Sequence, residues 1–260
     1  MKQALFDSIA HLYDEEVAVL TQFGDDIPFY LEYARKSGGD ALELACGTGR
    51  ILVPLTQQGI AMTGIDASEK MLDIARAKTT RLQEDVKKRV HLVHARMQDF
   101  NLARTFPLIF CAFRSFQCLV NKQEQGACLT RVYEHLSENG IFILDLFVPF
   151  HHLLAKVQRT LYLGSFKSSK LNAVVTRRAE VKYDLAQQTL HEDRFYEWTD
   201  TNGEFHRHIW SYDLACIFHQ EAELLLDKYG FSIIDVFSNF TKTPYDYFSG
   251  EQIFIVQKRG

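Results

Sequence analysis

The chain has 260 residues, of which 47% are hydrophobic and 24% charged, and its formal net charge is −4. These proportions exclude an intrinsically disordered protein, which lacks the apolar residues needed to offset chain entropy. The net negative charge argues against non-specific nucleic-acid binding, and no apolar run reaches the roughly 20 residues of a membrane helix. Charges at Lys2 and Asp7 come too early for a secretory signal. We therefore expect a cytoplasmic protein with no nucleic-acid or membrane partner.

The cysteines argue against a metal or disulfide framework, because no two form a Cys-x-x-Cys pair and their number is odd. Most of them lie in apolar surroundings, which is typical of buried, reduced thiols. We expect neither a zinc site nor redox chemistry from Cys46, Cys111, Cys118, Cys128 and Cys216.

The first 150 residues alternate between helical and strand patterns. Residues 5–36 have apolar positions at helical spacing, and the segment 37–40 interrupts them. Short apolar runs typical of buried strands follow at 41–45, 60–66, 90–95, 108–113 and 141–146. Helices are predicted at 50–58, from Ser68 onward and at 124–136. This alternation predicts an α/β protein with βαβ units and a doubly wound, mostly parallel, Rossmann-like sheet.

After Phe150 the alternation gives way to runs rich in Thr, Val and aromatic residues. Three runs predict an antiparallel meander at 173–183, 189–198 and 205–213, joined by turns at 184–188 and 199–204. A helix at 219–229 and strands at 231–237 and 252–258 would complete the first sheet. We interpret the chain as one domain, 1–260, with a helical lid at 1–36, a core at 37–150, an antiparallel insertion at 151–215 and a completing segment at 216–260.

The segment 43–49, Glu-Leu-Ala-Cys-Gly-Thr-Gly, has the features of a ligand-binding turn between a strand and a helix. Gly47 and Gly49 permit a tight turn that a ligand can approach closely, and free N–H groups of the following helix suit a carboxylate or phosphate. A dinucleotide site favours a third glycine where this chain has Leu52. Glu43 is unexpected beside a pyrophosphate but suits a ligand with an amine or sulfonium cation. Asp66, at the end of the second strand, suits the two hydroxyls of a ribose.

These motifs resemble those of the class I S-adenosylmethionine-dependent methyltransferases, particularly members that act on small molecules. The resemblance rests on ELACGTG at 43–49, GIDAS at 64–68 and Tyr13-Asp14, which is similar to the family's YD element. Further similar segments lie at 95–100, 111–119 and 136–140. Phe218-His219-Gln220 and the preceding meander more loosely resemble amino-sugar N-methyltransferases.

The resemblance implies a site for S-adenosyl-L-methionine at the carboxyl ends of the strands. Gly47 and Gly49 would flank the methionine part, and Glu43 would face its ammonium group. Asp66 would hold the ribose. The remaining contacts to the amino-acid end would come from the Phe113 carbonyl, which would receive the ammonium group, from Arg50 at the carboxylate and from Tyr13, which would close over the cofactor.

On the adenine side, the resemblance places Met97 and Gln98 at the border of the base. Arg96 departs from the family pattern, which has an Asp there to bind the adenine amine. Either Asp99 or backbone groups would then take over that contact, although Asp99 also suits a purely supporting role in its loop.

On the acceptor side, the candidate catalytic residues are Tyr13, His151, His152, His206 and His208. An amine acceptor needs only to be neutral when it attacks, whereas a hydroxyl would need a base such as a histidine. His206 and His208 share one face of a strand, but no third ligand completes a metal pattern. We therefore predict no metal.

The sequence predicts an S-adenosylmethionine-dependent methyltransferase that acts on a small polar metabolite at N or O, as a monomer or a homodimer. Two alternatives stay open at this point. One is an NAD-dependent oxidoreductase, which Glu43 and the missing third glycine disfavour. The other is a catalytically inactive protein that binds S-adenosylmethionine, which Arg96 favours.

Overall fold

The computed structural model describes residues 5–19, 26–147, 158–246, 248 and 250–260. The helices are α1 (Ala10–Val17), α2 (Asp26–Lys36), α3 (Leu52–Gln57), α4 (Glu69–Thr79), α5 (Glu84–Lys87), α6 (Lys122–His135) and α7 (His219–Lys228). The strands are β1 (Asp40–Leu44), β2 (Ala61–Asp66), β3 (Val90–His94), β4 (Phe106–Cys111), β5 (Leu136–Phe147), β6 (Gln158–Ser168), β7 (Ala173–Asp184), β8 (Thr189–Thr199), β9 (Phe205–Ala215), β10 (Phe231–Phe237) and β11 (Glu251–Lys258). A short 3-10 helix, Ser115–Cys118, follows β4.

Seven strands form one sheet in the order β10-β11-β5-β4-β1-β2-β3. Strands β1 to β5 run parallel, and β11 is antiparallel to both of its neighbours. The central strands β1 and β4 are almost entirely buried, as expected of a parallel sheet that is covered on both faces. The predicted fold class is confirmed: a Rossmann-like, mostly parallel sheet is accompanied by helices at the N-terminus and by a separate antiparallel sheet.

Local sequence signals set the ends of the elements around β2. The Ser68 hydroxyl accepts the Met71 N–H at 3.1 Å and begins α4 as its N-cap. Gly59 follows α3 with a φ of 92°, a backbone conformation that glycine adopts without strain. A β-carbon at Gly64 would lie 2.5 Å from Leu52 Cδ1, so this glycine lets α3 pack closely on β2.

The second sheet is antiparallel, in the order β6-β7-β8-β9. Strands β7, β8 and β9 correspond to the three predicted runs, but the sequence analysis did not identify β6 as a strand. The register of β6 shifts between Tyr162 and Gly164, and Gly164 has a φ of 87°. This bulge interrupts the period-two alternation by which a strand is recognised in sequence.

Helix α1 lies between the two sheets. It contacts β6 on one side and α4 on the other. The segment just before α1 also spans both, because Ser68 Oγ donates to Asp7 and Trp210 Nε1 of β9 donates to the Leu5 carbonyl at 2.8 Å. The described part of the predicted helical region 5–36 therefore forms α1 and α2. None of the described helices has the length and apolar character to cross a bilayer.

Candidate functional site

The turns that follow β1 and β4 lie side by side at the carboxyl edge of the sheet, and both have left-handed backbone. Ala45 and Gly47 have φ values of 54°, and Phe113 and Arg114 have φ values of 55° and 63°. Non-glycine residues in such conformations cost roughly 1–3 kcal/mol each and cluster at functional sites. The strained turns mark the edge at which the sequence predicts a ligand.

Asp66, at the end of β2, fastens the glycine turn. Its Oδ2 accepts the Gly47 N–H at 2.8 Å, and its Oδ1 accepts the Ser68 N–H at 2.8 Å. Burial raises the pKa of Asp66, while these two backbone bonds oppose the rise. Because each carboxylate oxygen can accept a second hydrogen bond, Asp66 can hold the turn and also accept two hydroxyls of a ribose.

Glu43, inside β1, is 3% exposed, and its Oε2 has no hydrogen-bond partner among the described residues. Burial raises the pKa of Glu43 well above its usual range, and the nearby Arg50 opposes that rise. A β-carbon at Gly47 would meet no atom within 4 Å, so the space over the turn is open. A buried acid with one unpaired oxygen, beside an open glycine turn, fits a nucleoside with a cationic tail, such as S-adenosylmethionine.

Arg50 is engaged within the protein. Its guanidinium forms a bidentate ion pair with Asp26 of α2, with N–O distances of 2.5 and 3.0 Å, and Asp26 is only 1% exposed. The guanidinium carbon also lies 5.1 Å from the centre of the Phe113 ring. Since a guanidinium has five N–H donors, some remain for a ligand carboxylate, and that role stays a prediction.

Helix α1 reaches the glycine turn through Asp14. Thr48 Oγ1 donates to Asp14 Oδ1 at 2.6 Å, and Lys78 Nζ of α4 lies 2.8 Å from Asp14 Oδ2. The predicted cofactor contacts include the neighbouring Tyr13 but not Asp14, although the Tyr13-Asp14 motif could have identified Asp14 as well. Burial raises the pKa of Tyr13, so this side chain stays protonated at neutral pH.

The segment after β3 carries the residues predicted at the adenine. Arg96 pairs with Glu124 of α6 at 3.0 Å, and the Gln98 side chain lies against the same carboxylate. Met97 packs on the hydrophobic core, and Asp99 is exposed. The basic residue at the adenine side is thus neutralised by an acid that sequence reasoning missed, because Glu124 is 28 positions away.

Sequence reasoning also missed Asp145, at the end of β5. This carboxyl is 2% exposed, and its Oδ2 accepts the Phe113 N–H at 2.9 Å. The feature of the sequence that could have identified Asp145 is an acid inside an otherwise apolar run at 141–146. Asp145 therefore ties β5 to the strained turn after β4.

The two acceptor-side histidines that the structure describes, His206 and His208, lie on β9 of the antiparallel sheet. His206 bonds Asp200 at 3.0 Å and stacks on Trp198, while His208 lies beside Tyr196. The end of β9 that lies near the turn after β4 is Ala215, whose carbonyl accepts a 2.7 Å hydrogen bond from Gln117 of the 3-10 helix. Both histidines lie further back along the strand. His206 is nine residues from that end, or roughly 30 Å along the strand. His151 and His152 lie outside the described residues.

Three residues at the β8–β9 turn have the spacing of metal ligands. Ligand atoms of Asp200, Glu204 and His206 lie within 4.8 Å of one another. Asp200 Oδ1 already accepts the N–H groups of Asn202 and Glu204, so hairpin turn geometry explains its position. The prediction of no metal stays a prediction.

Comparisons with known proteins point to methyltransferases. Residues 41–140 match a family model described as a methyltransferase domain. A Geobacillus sp. (strain WCH70) protein, named only by class as a methyltransferase, is 25% identical over 243 residues, 88% of this chain and 87% of that protein. The dTDP-3-amino-3,4,6-trideoxy-alpha-D-glucopyranose N,N-dimethyltransferase of Streptomyces venezuelae is 27% identical over 184 residues, 69% of each chain. The solved structure of the CcbJ methyltransferase from Streptomyces caelestis shares the fold, with a TM-score of 0.81 over 100% of both chains at 23% identity.

The cofactor of this family supplies an activated methyl group on a sulfonium. In this chain the glycine turn, Glu43 and Asp66 have the placement and chemistry to hold such a cofactor, so the residues fit it. The oxidoreductase alternative is set aside, because the matching family model is a methyltransferase domain. The resemblance seen in the sequence is confirmed over residues 41–140, which match the methyltransferase domain, and the chain is identified as an S-adenosylmethionine-dependent methyltransferase.

Proposed function

We propose that the enzyme methylates an amine nitrogen of a small polar metabolite, with amino sugars as the substrate class. The amino-sugar N,N-dimethyltransferase of Streptomyces venezuelae supports this proposal, since it is similar over 69% of the chain. A related enzyme of Streptomyces fradiae, named for a dTDP-3-amino-3,6-dideoxy sugar, is 34% identical over 104 residues, 40% of this chain and 38% of that protein. These names describe the substrates of the relatives, so the choice of nitrogen in this enzyme must come from its own residues.

The observation that carries the choice of nitrogen is that the two phenols near the carboxyl edge of the parallel sheet, Tyr13 and Tyr212, are protonated. Burial raises the pKa of Tyr13 and that of Tyr212, so both keep their protons at neutral pH. The Tyr212 hydroxyl also accepts a 2.7 Å bond from Arg194 Nη2. Such groups orient a polar acceptor but do not deprotonate a hydroxyl. A neutral amine needs no strong base, so the two phenols favour N-methylation. A hydroxyl acceptor would need a base such as His208, which lies on the same face of β9 as Tyr212 and whose pKa burial lowers.

The acceptor pocket is proposed beside α1, where the Ala215 end of β9 in the antiparallel sheet meets the turn after β4. Tyr212 of β9 and Arg114 after β4 lie close enough to interact electrostatically, which brings that strand towards the strained turn. The Gln117 side chain links β9 of the antiparallel sheet to β5 of the parallel sheet, since its Nε2 donates to the Ala215 carbonyl and its Oε1 accepts the Phe147 N–H. In this arrangement the protein aligns acceptor and methyl group and excludes water, which can lower a barrier by about 7–11 kcal/mol.

A matched pair of acceptors tests the proposal. The enzyme is incubated with S-adenosylmethionine and either a dTDP-3-amino-deoxyglucose or the same compound with a 3-hydroxyl, and products are detected by mass spectrometry. We expect methylation of the amine alone, with a rate that rises with pH as the acceptor amine loses its proton. Methylation of the hydroxyl compound would refute the nitrogen preference. Rejection of both compounds, with amines outside the sugars accepted, would refute the substrate class.

A further inference from the structure

Asp145 holds the most strained peptide of the site. Its carboxylate accepts the N–H of Phe113 at 2.9 Å, and the N–H of Arg114 lies near enough to favour the charged carboxylate. These are the two consecutive non-glycine residues with left-handed backbone after β4. Each would cost roughly 1–3 kcal/mol without such support.

The position of the Arg114 N–H indicates the direction of the Phe113 carbonyl. In a trans peptide the C=O and the N–H point in opposite directions. Because the Arg114 N–H lies on the side of Asp145, the carbonyl of the same peptide, that of Phe113, points to the opposite side. Asp145 therefore determines where this carbonyl lies relative to the glycine turn.

Asp145 also shares a sheet face with Glu43. The register pairs Glu43 with Phe110 and Phe110 with Ile143, which places Asp145 on the same face two residues further along β5. Tyr30 of α2 covers this face, with its ring stacked on Phe110 at 4.6 Å.

Three polar atoms on this face are buried without a hydrogen-bond partner among the described residues. They are Tyr30 Oη, Glu43 Oε2 and Asp145 Oδ1, on side chains that are 3% exposed or less. Buried polar atoms are almost always paired, so these three unpaired oxygens, on two acids and a phenol, call for a cationic or water partner.

We propose that Asp145 is a positioning residue for the amino-acid end of the cofactor. It acts through the Phe113 peptide, whose carbonyl it aims at the ammonium group, and it adds negative charge to the face that carries Glu43. Its contribution concerns the amino-acid tail alone, since Asp66 and the segment after β3 serve the nucleoside.

Ionisation of Asp145 links this role to pH. Burial raises the pKa of Asp145 to about 6, and Arg114 and the Phe113 N–H oppose the rise. The other groups that face it are Asp26 and Tyr30 of α2 and Cys111 of β4. A cationic ligand favours the charged carboxylate, so the affinity for that ligand should increase as the pH rises through about 6.

The test compares S-adenosylhomocysteine with 5′-methylthioadenosine, which lacks the amino-acid tail, by titration calorimetry. In Asp145→Asn we expect the affinity for S-adenosylhomocysteine to fall by about tenfold or more, the size of one lost charge-assisted hydrogen bond. The affinity for 5′-methylthioadenosine should change by less than about threefold on the same scale. Between pH 5 and 8, the variant should also lose the part of the S-adenosylhomocysteine pH dependence centred near 6, whereas Glu43→Gln should retain it.

Asp184→Asn is the matched control, because Asp184 accepts two backbone N–H groups at the β7–β8 turn, on a different sheet from the cofactor edge. We expect it to leave both affinities unchanged. If Asp145→Asn does not fold, Phe113→Gly removes one strained residue, and Phe113→Gly/Asp145→Asn is compared with Phe113→Gly alone. Equal loss for both ligands, or unchanged affinity and pH profile for S-adenosylhomocysteine in a folded variant, would overturn the proposal and leave Asp145 a structural residue.

Discussion

The buried carboxylate of Glu16 ties α1 to the antiparallel sheet, and its removal should have a large effect. Glu16 is 3% exposed and accepts hydrogen bonds from Arg177 at 3.1 Å, Arg194 at 3.0 Å and the Tyr196 hydroxyl at 2.7 Å. Arg194 has a second acid, Glu192, at 2.7 Å. Arg177 is 4% exposed, and it also donates a hydrogen bond to the backbone carbonyl of Leu163. Glu16→Ala would therefore leave Arg177 buried without an acid.

The loss of stability that we expect follows from the buried charge of Arg177, which would have no acidic partner. Breaking a buried ion pair by removing one partner costs about 3–5 kcal/mol. For a domain of this size each kcal/mol lowers the melting temperature by about 2–4 °C, so we expect a fall of roughly 6–20 °C. Urea unfolding followed by circular dichroism gives the free energy, and Glu180→Ala, an exposed acid on β7, is the control.

A second substitution separates charge burial from packing. In Glu16→Ala/Arg177→Met the stranded cation is replaced by an apolar side chain of similar length, which should restore much of the stability. A loss below about 1 kcal/mol in Glu16→Ala, the level of a surface ion pair, would refute the reasoning. So would a double variant that is less stable than the single one.

Three further outcomes are expected. Asp66→Ala should weaken S-adenosylhomocysteine binding by about 1–3 kcal/mol in calorimetry, since it removes charged acceptors at the glycine turn; unchanged affinity would mean that the ribose is held elsewhere. Gly64→Ala should lower the unfolding free energy by about 1–3 kcal/mol, because its β-carbon would clash with Leu52, whereas an unchanged melting curve would contradict the close packing. Because burial raises the pKa of Asp145 to about 6 from an unfolded value of 3.8, the folded apoprotein binds more protons between these values. Stability should therefore fall as the pH rises from about 4 to 6, and this part of the fall should disappear in Asp145→Asn.

The fold and the nucleotide end were predictable because their signals are local. A strand, two glycines and an acid occur within 43–49, and Asp66 closes the next strand. Alternation of short buried strands with helices then sets the sheet and its ligand-binding edge. None of these inferences requires knowledge of which distant side chains meet.

The parts that sequence reasoning missed depend on long-range pairing. Glu16 meets Arg177 across 161 positions, and Asp145 meets Phe113 across 32. Neither pair has a spacing that marks it in the sequence, because their contact depends on how two sheets and a helix pack. The strand β6 was missed for a local reason, since the bulge at Gly164 breaks the alternation.

Helix α1 connects cofactor binding to the acceptor pocket. Asp14 and Glu16 are two positions apart, so their side chains leave the helix about 200° apart and face opposite sides. Asp14 bonds Thr48 of the glycine turn, and Glu16 bonds Arg177 and Tyr196 of the antiparallel sheet. A substitution that releases α1 from either side should therefore disturb the other. We expect Glu16→Ala to weaken S-adenosylhomocysteine binding, although the hydrogen bonds of Glu16 go to Arg177, Arg194 and Tyr196 of the antiparallel sheet. Full affinity in that variant would mean that Asp14 alone holds α1 on the glycine turn, and that the two halves of the site bind their ligands independently.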